Sequence, residues 1–145
     1  MSCGLHSTPK YDARGRGVFC GPQVIAAATG ISIGKACAHM NRRIGRAPHL
    51  HISGTDSEDL KCALEQEGVG YHFERKARAK DRPTFAQWRK REQHSRQATY
   101  ILGFTSHWVV VKGDWLCDTT HIEPHDLSAK PVYSRARVEI VFRLK

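Results

Sequence analysis

The chain has 145 residues, a formal net charge of +9 and an apolar fraction of 40%. That length suits a single domain spanning 1–145 with a real core. No run is long and apolar enough to cross a membrane, and the first sixteen residues hold no apolar run. Neither a membrane partner nor a secretory signal is expected.

In chain order, residues 1–16 read as an irregular segment punctuated by Gly4, Pro9 and Gly15. "CGPQVIAAAT" then predicts a buried helix from about Gly21 to Thr29, stopped by Gly30. "SIGKACAHMNRRIG" predicts a second helix capped by Ser32. "RAPHLHISGT" reads as a loop with a short extended piece at His49–Ile52. "TDSEDLKCALEQEG" has acids in its first turn and Leu60 and Leu64 on one face, a helix ending at Gly68. "VGYHFE" suits a short strand, and "RKARAKDRP" a basic connection. Thr84 and Gln87 have capping-box spacing at the head of a short helix. "ATYILGF", "HWVVVKG", "DWLCDTT" and "RVEIVFRLK" are β-branched and aromatic, with turn residues between them. Helices first and antiparallel strands after give an α+β domain.

The cysteines are Cys3, Cys20, Cys37, Cys62 and Cys117, an odd number without a signal peptide. They read as thiols of a reducing, cytoplasmic setting rather than a disulfide framework. His39, His49 and His51 lie near Cys37 and Cys62, but no C-x-x-C pair is present. No metal and no cofactor are therefore expected.

Cys20 occupies the first turn of its helix, where Ser, Thr, Asp or Asn would cap better. Unpaired N–H groups and the helix dipole at that end favour a negative group and shift a thiol toward thiolate, its nucleophilic form. The bland alternative is a small buried apolar cysteine. Pro22 is tolerated in a first turn, and Gly21 leaves space beside the sulfur.

A nucleophilic thiol needs a base and often a group that orients it. "SHWVVVKGDWLCDT" offers both on a hairpin. A two-residue turn at Gly113-Asp114 sets Val109 opposite Asp118, with His107 one diagonal step away. A turn at Lys112-Gly113 sets His107 directly opposite Asp118. Both registers put the pair on one face. A three-residue loop at 112–114 would turn Asp118 to the other face.

"FCGPQVIAAATG" followed by "SHWVVVKGDWLCDT" resembles the papain-like cysteine peptidases, closest to the double-glycine peptidases that process bacteriocins and their stand-alone relatives. The likeness runs from about residue 17 to 120 and takes in "GTDSEDLKCALEQEG" as the helix between the two halves. It implies a papain-like fold, an N-terminal helical part packed on a C-terminal antiparallel sheet. It also implies a Cys-His-Asp triad of Cys20, His107 and Asp118 that cleaves a peptide or isopeptide bond in a peptide or protein substrate. Related folds use the same triad for acyl transfer and deamidation. The family's glutamine, six residues before the nucleophile, is replaced by Arg14, whose guanidinium can donate to an oxyanion but never accept. The transporter-linked members also carry membrane and nucleotide-binding domains, and neither is expected from these 145 residues. Small basic stand-alone domains of this type suit bacteria or their phages.

The charge is concentrated. From Arg75 to Arg96 there are nine Lys/Arg and two Asp/Glu. Such a stretch is either a solvated surface or a contact for nucleic acid or an acidic protein. In the binding reading Arg89, Lys90 and Arg91 carry the contact, with Phe85 and Trp88 interleaved, on a weakly active or inactive papain-like domain.

Overall fold

The computed structural model describes residues 20–46, 55–105, 107–118 and 123–145. Among these residues four α-helices pack on the two faces of one six-stranded sheet. The helices are α1 (Cys20–Thr29), α2 (Ile33–Arg43), α3 (Ser57–Gln66) and α4 (Phe85–Arg91). The strands are β1 (Tyr71–Arg75), β2 (Tyr100–Phe104), β3 (His107–Lys112), β4 (Trp115–Cys117), β5 (His125–Asp126) and β6 (Ile140–Leu144). The sheet order is β1-β6-β2-β3-β4-β5, and every pairing is antiparallel. The domain is α+β. Among the described residues no helix is long and apolar enough to cross a membrane.

Local chemistry explains the element ends. Ser32 accepts from the Lys35 N–H and starts α2. Asp56 and Asp59 form a reciprocal capping box on α3, as do Thr84 and Gln87 on α4. Gly30 (φ 85°) and Gly68 (φ 70°) take the left-handed turns that end α1 and α3.

The sheet divides two apolar clusters. On one face α1, α2 and α3 bury Ile25, Met40, Leu60 and Leu64 against Ile101, Trp108, Val110, Cys117 and Phe142. On the other, α4 and residues 132–138 cover Tyr100, Leu102, Val109, Val111 and Leu116. Two expectations need correcting. The elements do not run helices first and strands after: β1 precedes α4 and closes the sheet edge against β6, with Tyr71 opposite Leu144. Phe85 and Trp88 are each 1% exposed, so neither offers a face to a nucleic-acid base. They are the apolar stripe that fastens α4 to the sheet. The irregular segment 1–16 and the extended piece at 49–52 lie outside the described residues.

Candidate functional site

The β3–β4 hairpin turns at Gly113-Asp114, with Lys112 opposite Trp115 and Val110 opposite Cys117. Gly113 has φ 61°, the left-handed value that a two-residue hairpin turn demands. Of the three registers open to the sequence, this is the one with His107 a diagonal step from Asp118. Strand alternation then sets His107, Val109 and Val111 on the α4 face, together with Leu116 and Asp118.

The two side chains meet. His107 Nε2 lies 2.6 Å from Asp118 Oδ2. A carboxylate only accepts, so Nε2 carries the proton and Nδ1 is the basic atom of the neutral ring. The Asp118 side chain is fully buried, whereas the His107 side chain keeps 23% of its surface. The ring is therefore held by a buried carboxylate and keeps part of its surface exposed.

A third group completes the cluster and gave no signal in the sequence. The Tyr133 hydroxyl donates to the same Asp118 Oδ2 at 2.6 Å and stands 3.4 Å from His107 Nε2. Tyr133 lies in the irregular segment before β6, in "KPVYSRAR", where neither periodicity nor a motif marks it. Its backbone does mark it. At φ 57° it is the only non-glycine residue with positive φ among the described residues.

Cys20 is the first residue of α1, so the expected helix start is observed. Its side chain lies outside the described residues, as does all of Arg14. The end of α1 that Cys20 opens can still be placed. A Cβ added to Gly21 would fall 2.2 Å from Thr55 Oγ1, so helix and Thr55 are in close contact. The Thr55 carbonyl accepts the Trp108 indole N–H at 3.1 Å. Trp108 follows His107 on β3. The start of α1, the start of β3 and the end of β4 therefore share one end of the sheet. The helix approaches from one face, and the His107–Asp118–Tyr133 cluster lies on the other.

The basic stretch does not form one free surface. Lys76 pairs with Glu74 and Glu92, Arg78 with Asp81, and Arg82 with Glu139. Arg89 and Arg96 both bind Asp114 at the hairpin turn. Lys90 and Arg91 are exposed and make no ion pair among the described residues. Of the three cations singled out by sequence, Arg89 is thus tied into the fold. Cys37 is buried in the helical cluster, and burial pushes its thiol up to about 11. Among the described residues no group of His, Cys, Asp and Glu is arranged to hold a metal ion.

No known protein-family profile matches the chain, and no curated protein is significantly similar to it.

Proposed function

We propose that the protein is a papain-like cysteine hydrolase acting on a peptide or isopeptide bond. The observation that carries this reading is the buried Asp118 carboxylate 2.6 Å from a partly open His107, at the end of the sheet where the Cys20 helix begins. In this mechanism Cys20 Sγ meets His107 around that end of the sheet and attacks the carbonyl carbon as its proton passes to His107 Nδ1. Asp118 holds Nε2–H and stabilises the imidazolium that forms. The backbone N–H groups at the start of α1, with Arg14 as a second donor, steady the oxyanion. The amine leaves with the proton from His107, and a water activated by the same nitrogen hydrolyses the thioester. A different acyl acceptor would make the same site a transferase, and a side-chain amide substrate would make it a deamidase.

The test is limiting iodoacetamide at pH 6 with peptide mapping. An ordinary thiol is almost wholly protonated there, its reference pKa being about 8.5. Cys20 should be labelled first, ahead of Cys3 and Cys62, and His107→Ala should erase that lead. Labelling of Cys3 before Cys20 would overturn the proposal.

A second reading, a binding module on the same domain, is favoured by the exposed Lys90 and Arg91 beside a groove of about 360 Å³ lined by Phe85, Ala86, Arg89 and Val132. Because Phe85 and Trp88 are buried, this reading favours an acidic protein over a nucleic acid.

A further inference from the structure

We propose that Tyr133 is a positioning residue that fixes the protonated nitrogen of His107 by way of Asp118. Three observations converge on it. The first is conformational. An aromatic residue at φ 57° is strained and persists only where its surroundings hold it there. They do so here. The Ala136 N–H donates to the Tyr133 carbonyl at 2.9 Å. At the head of α4, the Phe85 and Ala86 N–H groups donate to the carbonyls of Ala136 and Ser134. The Tyr133 ring packs on Phe104, with centroids 5.7 Å apart.

The second observation is what this strained residue reaches. Its hydroxyl gives its one proton to Asp118 Oδ2, the oxygen that His107 Nε2 also engages. Having donated, the phenol presents only lone pairs to Nε2, 3.4 Å away. His107 Nε2 therefore faces two acceptors, one anionic and one neutral. Only a ring protonated at Nε2 satisfies both, and that tautomer leaves Nδ1 as the base.

The third observation is burial. With its side chain fully buried, Asp118 depends on fixed donors to hold its carboxylate in one rotamer. A carboxylate oxygen with fewer fixed donors turns more readily about its own bond and takes the ring with it. The phenol supplies a second fixed point on the same oxygen. Tyr133 touches no reacting atom in this scheme and acts through the pair.

The geometric part of this inference stands on its own, and its consequence for Cys20 rests on the hydrolase reading. The experiment is Tyr133→Phe, which keeps the ring and removes the hydroxyl. Imidazole nitrogen NMR reads the His107 tautomer and the water exchange of Nε2–H, and iodoacetamide labelling reads Cys20. In the unaltered protein His107 should carry its proton on Nε2 with slow exchange. The variant should exchange at least about tenfold faster, the change expected from one lost hydrogen bond to a charged group. Cys20 labelling at pH 6 should slow by a similar factor. Faster exchange with unchanged labelling keeps Tyr133 as the positioning residue and removes the hydrolase reading. A tyrosine that only packs would lower the melting temperature and leave both His107 signals unchanged, which overturns the proposal. If the variant does not fold, the unaltered protein decides. A slowly exchanging Tyr133 hydroxyl proton with a cross-peak to the His107 ring supports the proposal, and a freely exchanging one overturns it.

Discussion

Asp118→Ala tests the cluster as a physical unit, without a substrate. The carboxylate accepts two bonds at 2.6 Å, one from His107 and one from Tyr133. Hydrogen bonds to a charged group contribute about 1.5–3 kcal/mol each, so the gross loss is about 3–6 kcal/mol. Two effects reduce it. Alanine no longer has to bury a charge, which returns part of the desolvation cost. The His107 side chain keeps 23% of its surface, so water can take over its donor, whereas Tyr133 is half-buried and loses more. A net destabilisation of about 2–3 kcal/mol remains. At roughly 3 °C per kcal/mol for a chain of this size, the melting temperature should fall by about 6–9 °C. Asp118→Asn keeps the shape and one acceptor for His107, so it should lose less than Asp118→Ala. Urea unfolding followed by circular dichroism gives both values. If Asp118→Ala stays within about 0.5 kcal/mol of the unaltered protein, as a surface substitution would, the three groups are not a bonded unit in solution.

Gly21→Ala should destabilise by about 1–3 kcal/mol and shift the start of α1, because its Cβ would fall 2.2–2.5 Å from three side-chain atoms of Thr55; chemical unfolding with Cys20 labelling on the same sample checks both effects. Lys90→Glu with Arg91→Glu should leave stability within about 0.5 kcal/mol, since neither cation makes an ion pair among the described residues. If the binding reading holds, the same pair should abolish salt-sensitive capture of an acidic polypeptide, measured by fluorescence anisotropy. Cys37, raised by burial from 9.0 to about 11, favours the fold in its protonated form. Its contribution is complete below pH 9 and is lost as pH rises toward 11, so Cys37→Ser should flatten the alkaline limb of a stability profile over that window.

The elements legible in the sequence are those with local causes. The acids in the first turn of α3, the capping box at Thr84 and the left-handed glycines at 30 and 68 each sit within a few residues of what they determine. The hairpin shows why this carried over to the site. Once its turn was fixed, alternation alone put His107 and Asp118 on one face. Pairings between distant segments had no such cause. Tyr71 meets Leu144 across half the length of the chain, and no pattern in "VGYHFE" says which strand it joins. The i, i+3 spacing of Phe85 and Trp88 is that of a buried helix stripe, but the cations around it give the segment the composition of a charged surface. Tyr133 was invisible for a different reason. Its place depends on a left-handed backbone, and nothing in its neighbours' identities marks that conformation.

The cluster is a poor way to stabilise this end of the sheet. A buried carboxylate repays its desolvation only with well-placed donors, and an apolar residue of similar volume commonly serves the fold as well or better. The neighbouring positions on the same face, Val109, Val111 and Leu116, are apolar, so a leucine or valine at 118 would continue the pattern. Asp118 instead breaks it and takes a donor from a residue in a strained conformation. A role in packing explains neither cost. A role in holding a histidine with one nitrogen protonated and the other basic explains both, because that task needs a buried anion and a second fixed point on it. The hydrolase proposal needs such a ring near the thiol, and the sheet end that His107 occupies is the end at which the Cys20 helix starts.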